Sequence, residues 1–196
     1  MNQQPSWKER IRAILANRQR QVITDDHLVR AAVLLLICEK DGEPHLLFTK
    51  RTEKVEQHKG QISFPGGVHD AEDESFLATA LRETFEEVGI RPQDVEVLGE
   101  LDDTATISTS FVVAPFVASI PYPYPFRVSS DEVERLILVP LAELLKPANF
   151  RQEAMVRKNC IYPLYFYYCE DSIIWGATAR ILKSFFDLIY PGWDSR

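Results

Sequence analysis

Four residues stand at a spacing that can do chemistry: Arg82, Glu83, Glu86 and Glu87. At about 100° per residue, a helix through them sets the three glutamates within roughly 100° of one another, with Leu77, Leu81, Phe85 and Val88 expected on the opposite, core-facing side. Like charges at i, i+3 and i, i+4 each cost about 0.2–0.5 kcal/mol, and Arg82 is the one near neighbour on that helix able to offset them. A divalent cation removes the repulsion, and an oxygen-only donor set selects a hard ion, Mg²⁺ or Mn²⁺. An ion held by Glu83, Glu86 and Glu87 suits phosphoryl transfer to water, which needs neutralised phosphate oxygens and an aligned nucleophile rather than a covalent intermediate. The competing explanation is a plain solvated helix face, and the surroundings decide between the two.

The elements that must position these residues follow from periodicity and breakers. A helix is expected over 75–88, closed by Gly89 as its C-terminal cap. Residues 29–38 are too continuous and β-branched for a surface helix; with Asp41-Gly42 behind them and apolar residues at 45–49, they predict strand, turn and strand. Further strands are expected at 95–101, 111–120, 162–169 and 173–175, a short helix at 141–145 and a closing helix at 178–190. Residues 6–17 carry a narrow apolar face and read as a peripheral helix, while Pro121 to Pro125 is a stiff connector. Strands and helices mix without strict alternation, which predicts an α/β (α+β) class with a mixed sheet between helices. The whole chain, 1–196, reads as one domain with its core at about 28–190.

Composition narrows the function. The 196 residues are 45% hydrophobic and 26% charged, a globular composition. A net charge of −7 has the wrong sign for tracking nucleic acid. The longest apolar run spans eight residues, far short of a bilayer, and the start lacks the apolar block of a secretory signal, so the expectation is a cytoplasmic protein with no membrane partner. Cys38, Cys160 and Cys169 never fall at C-x-x-C spacing and read as reduced, partly buried fillers. The four histidines lack i, i+4 pairing, so any metal is expected on carboxylates.

Read together, Gly67, Glu74, Arg82, Glu83, Glu86, Glu87, Gly89 and Ile90 resemble the box of the Nudix hydrolases, G-x5-E-x7-R-E-U-x-E-E-x-G-U with U aliphatic. Six residues rather than five separate Gly67 from Glu74, so Asp73 is able to take the bracing place of Glu74, and Thr84 stands at the first U position. Upstream, Leu46-Leu47-Phe48-Thr49-Lys50-Arg51 and then His58-Lys59-Gly60-Gln61, Phe64-Pro65-Gly66-Gly67 resemble the extra motif of the coenzyme A pyrophosphatases, with Trp175-Gly176 and Thr178-Ala179 also similar. Glu56 stands where many members carry arginine. The resemblance implies a Nudix fold and hydrolysis of the diphosphate of coenzyme A or its derivatives. It implies Mg²⁺ or Mn²⁺ on Glu83, Glu86 and Glu87, Arg82 within the catalytic set, and Glu74 and Gly89 as structural members of the box. One of the glutamates, or a loop carboxylate such as Glu132, would take the proton of the attacking water.

Binding of the anionic substrate falls to a basic stretch in an otherwise acidic chain: Lys50, Arg51, Lys54, His58 and Lys59, beside the close-approach glycines Gly66 and Gly67. Arg51, at a strand end beside the glycine-rich loop, leads that set. Tyr162, Tyr165, Phe166, Tyr167 and Tyr168 read as core or dimer interface rather than base-stacking groups, and Trp175 as packing on the last helix. The partner is thus a small nucleotide-cofactor, with a homodimer as the family expectation. The rival readings are another nucleoside diphosphate derivative, such as ADP-ribose, NADH or a dinucleotide, and a non-catalytic sensing module.

Overall fold

The computed structural model describes residues 5–53, 60–107, 109–157, 159–169 and 172–195. After α1 (Trp7–Ala16), opened by a capping box between Ser6 and Glu9, the chain enters β1 (Val29–Lys40), the spine of the sheet. Its apolar run is continuous because both faces are covered. Ala31, Val33, Leu35 and Ile37 face one core, and Ala32, Leu34, Leu36 and Cys38 the other. Asp41 and Gly42, at φ 54° and 79°, turn the chain into β2 (Glu43–Arg51). Positive φ at both positions is the tight-hairpin geometry that Asp-Gly favours.

β3 (Ile62–Ser63), β4 (Gly66–Val68), β5 (Glu96–Glu100), β6 (Thr104–Ala105), β7 (Phe111–Ser119) and β8 (Val133–Pro140) complete an eight-stranded sheet. Its path is β3-β2-β1-β7-β5, with β4 on β1, β6 on β7 and β8 on β2. β1 and β7 run parallel while β1–β2 and β1–β4 are antiparallel, so the sheet is mixed. One face is covered by α2 (Phe76–Val88). The other is covered by α1, α3 (Leu141–Leu144), α4 (Gly176–Ile189) and a three-stranded sheet of β9 (Phe150–Arg157), β10 (Cys160–Cys169) and β11 (Ser172–Ile174). This is the mixed sheet between helices that the sequence implies. No helix among the described residues is long and apolar enough to cross a membrane.

The structure departs from the sequence expectations at identifiable places. β8 and β9 were not foreseen: in β8 buried Val133 is followed by two exposed residues, Glu134 and Arg135, and β9 carries mostly exposed side chains, so neither shows a clean alternation. Their pairing to β2 and β10 makes them strands. Tyr167 is core, fully buried with its ring 5.1 Å from Phe150 and 5.9 Å from Trp193. Cys38 and Cys169 are buried, but Cys160 is exposed.

The largest correction concerns α2. Its buried residues are Thr79, Ala80, Thr84, Glu87 and Val88, with Leu77 and Leu81 half-buried and Phe85 exposed. The core-facing stripe is therefore rotated toward the glutamates. The glycines of β4 leave room for that row to approach the sheet, and the rotation carries Glu87 beneath the surface.

Candidate active site

Three pieces of backbone meet at the site: the end of β2, the turn into β4, and α2. Ser75 caps the start of α2 by accepting from the Ala78 amide at 3.1 Å. Gly89 closes its end in the left-handed conformation, φ 74°, its amide donating to the Phe85 carbonyl at 2.9 Å. β4 lies on β1 with Gly66 opposite Val33 and Gly67 opposite Ala32. Gly66 has φ 142°, and a Cβ there would meet the Ala32 carbonyl oxygen at 2.2 Å. A Cβ on Gly67 would meet the Glu83 carboxylate at 2.4 Å. The two glycines thus bring strand backbone against the acidic helix, and the Gly66 amide donates to Glu87 Oε2 at 3.2 Å.

Arg82 organises the rest of the helix surface. Its Nε and Nη2 donate to the two carboxylate oxygens of Asp73, each at 2.9 Å, a bidentate pair. Its Nη1 donates to Glu83 at 2.8 Å and to Glu86 at 3.2 Å. Asp73 also accepts from the Thr79 hydroxyl at 2.8 Å and the Asp70 amide at 3.1 Å. The one-residue insertion therefore lands on Asp73 as the brace, while Glu74 is exposed. These bonds hold the Asp73 carboxyl well below the usual carboxylate range, chiefly through Arg82.

The glutamates sit in graded environments, with side chains 3% exposed at Glu87, 19% at Glu83 and 54% at Glu86. Burial pushes the Glu87 carboxyl up to about 8; the Gly66 amide and Arg51 oppose the rise, and the charges of Glu132 and Glu83 add to it. Glu83 is raised too, by burial first. Arg51 Nη1 lies 3.7 Å from Glu87 Oε1, and its Nε is buried without a hydrogen-bond partner among the described residues.

A cavity of about 600 Å³ opens onto this arrangement. Arg51, Glu83, Glu87 and Glu132 form its charged end, and Phe64, Phe111, Val113, Trp175 and Ile181 an apolar wall. Among the described residues no three His, Cys, Asp or Glu side chains are already drawn together as a cation cage. Arg82 holds Glu83 and Glu86 instead. The donor set still fits a hard cation, since a buried carboxylate that one amide and a distant guanidinium fail to neutralise is a group that a divalent ion would restore to its charged form.

The NUDIX domain family matches residues 28–158, more than half of the chain. The chain belongs to the Nudix family. Its Nudix relatives include the uncharacterized Nudix hydrolase NudL of Salmonella paratyphi B, 39% identical over 154 residues, 79% of this chain and 80% of that one. NudL of Salmonella newport gives the same figures. Among solved structures, a MutT/nudix family protein from Enterococcus faecalis superposes with a TM-score of 0.59 at 14% identity, covering 94% of this chain and 74% of that one. An Ap4A hydrolase from C. elegans gives 0.50 at 20%, covering 59% and 82%. These two likenesses are of fold.

Of the residues singled out from sequence, the Nudix structure brings Arg51, Gly66, Gly67, Glu83 and Glu87 to one cavity. Glu86 lies beside them on the solvent side of α2, tied to Arg82. Lys50, next along β2, pairs with Glu134 at 2.8 Å and does not line the cavity. His58 and Lys59, with Lys54 and Glu56, lie outside the described residues. Glu132 does line the cavity, on the turn before β8, where its carbonyl accepts from the Thr52 amide at 2.9 Å. The apolar wall from β7 and α4 was missed, because those residues are ordinary strand and helix positions in sequence and only the topology sets them opposite α2.

Proposed function

We propose that this Nudix protein is a cytoplasmic, Mg²⁺- or Mn²⁺-dependent hydrolase of the diphosphate bond of coenzyme A or its derivatives. The products would be adenosine 3′,5′-bisphosphate and 4′-phosphopantetheine or its acyl form. The observation that carries this reading is the convergence of Glu83, Glu87, Arg51 and the Gly66 turn on one cavity of nucleotide-ligand size with an apolar opposite wall. The upstream motif leading into Gly66-Gly67 supports coenzyme A within the family.

Glu83, Glu86 and Glu87 would hold the ion, which when bound supplies charge neutralisation at phosphate and a more acidic water. Arg51, with a donor that has no partner among the described residues, would hold anionic phosphate oxygens. Arg82, anchored by Asp73, orients Glu83 and Glu86 by donating to both from one nitrogen. Glu132 or one of the helix glutamates would accept the water's proton as the new P–O bond forms and the bridging P–O bond breaks. The test is product analysis by mass spectrometry with coenzyme A, ADP-ribose and NADH, with and without Mg²⁺ or Mn²⁺, beside Glu86→Gln. Adenosine 3′,5′-bisphosphate formed only by wild type with metal is the expected result. Cleavage of ADP-ribose or NADH alone would reassign the substrate, and full turnover by Glu86→Gln would overturn the metal assignment.

A further inference from the structure

One side chain of the cavity has no part in this chemistry. Trp175, expected from sequence to pack on the last helix, sits at the N-cap of α4, lines the cavity and is 48% exposed. The other tryptophans are spoken for: Trp193 is in the core and Trp7 packs against it, whereas Trp175 belongs to neither core cluster. Of the other aromatics on the cavity, Phe64 is buried and Phe111 is half-buried and packed against the core, while Phe85, exposed on α2, does not line it. Trp175 is thus the most exposed aromatic surface that the described cavity offers to a ligand.

A half-exposed indole at the edge of an apolar wall gains by being covered with a flat ring, and base–aromatic stacking tolerates any purine because every base has a π-face. A pantetheine arm or acyl chain has none. We propose that Trp175 is the stacking platform for the purine base of a nucleoside diphosphate substrate, setting specificity through binding while the chemistry stays with the groups across the cavity. This rests on the hydrolase reading for its substrate, and direct binding separates the two.

Trp175→Ala should raise KM for coenzyme A about tenfold and lower kcat by a smaller factor, and Trp175→Phe should restore most of the loss. Inhibition by adenosine 3′,5′-bisphosphate should weaken about tenfold in Trp175→Ala, and inhibition by 4′-phosphopantetheine should stay as in wild type. Adenosine 3′,5′-bisphosphate should also quench the part of the tryptophan emission that Trp175→Phe lacks. With thermal unfolding confirming that the variants are folded, unchanged KM and unchanged inhibition in Trp175→Ala overturn the proposal, as does a shift confined to 4′-phosphopantetheine. If wild type hydrolyses nothing yet the nucleotide quenches Trp175, the platform stands and the hydrolase reading falls; no quenching and no turnover overturn both.

Discussion

Replacing Gly67 with alanine tests the site where strand and helix touch. Gly67 has no positive φ, so its backbone tolerates a side chain, and it lies in ladder with Ala32. The added Cβ would stand 2.4 Å from both the carboxyl carbon and one oxygen of Glu83, where ordinary contact begins at 3.4 Å. The obstacle is the end of a flexible side chain, so the fold should give little, within about 1 kcal/mol. Glu83 must instead withdraw by about 1 Å from its place beside Arg82. A misplacement of that size costs on the order of 100-fold in rate, equivalent to about 2.7 kcal/mol of transition-state stabilisation. The assay is kcat and KM for coenzyme A with Mg²⁺, alongside thermal unfolding. Gly66→Ala is the contrast: its Cβ would meet backbone, the Ala32 carbonyl oxygen at 2.2 Å and Val33 Cα at 2.6 Å, at φ 142°. That variant should lose about 2 kcal/mol or more of stability. Wild-type kcat in Gly67→Ala would refute the placement of Glu83 as a working ligand.

Three further outcomes are expected. Asp73→Ala should lower both activity and Tm by freeing Arg82, while Glu74→Ala leaves both near wild type; the reverse pattern in unfolding and kinetic assays would return the brace to Glu74. Because the Glu87 carboxyl is raised to about 8 in the fold, from 4.5, it binds its proton more tightly folded than unfolded. The metal-free protein is thus most favoured below about pH 4.5 by this group and loses that contribution as pH climbs toward about 8. Melting curves of metal-free wild type should fall over that range and flatten in Glu87→Gln; identical curves would sink the assignment. Tyr167→Phe removes a buried hydroxyl without a hydrogen-bond partner among the described residues, so denaturant unfolding should show it neutral or more stable by about 1 kcal/mol, and a clear loss would reveal a bond to that hydroxyl.

The chain alone determined much of this site. Short-range rules are written locally, so the helix ending at its Gly89 cap, the Asp41-Gly42 hairpin, the buried strand through Leu34 and Leu35, and the row Arg82, Glu83, Glu86, Glu87 were legible without coordinates, while Ser75, counted there as the first helical residue, is the N-cap. The insertion before Glu74 raised Asp73 as a substitute brace, but the bidentate contact with Arg82 decided it. Tertiary structure alone decided which face of α2 is buried, because Gly66 and Gly67, in strand β4, admit the helix on the side of Thr84 and Glu87 and leave Phe85 to solvent. It also decided that Trp175 looks onto the cavity and that Lys50 does not line it. Caps and periodicities depend on neighbours within a few residues, whereas burial of a charge depends on what the chain brings from far along the sequence to lie against it.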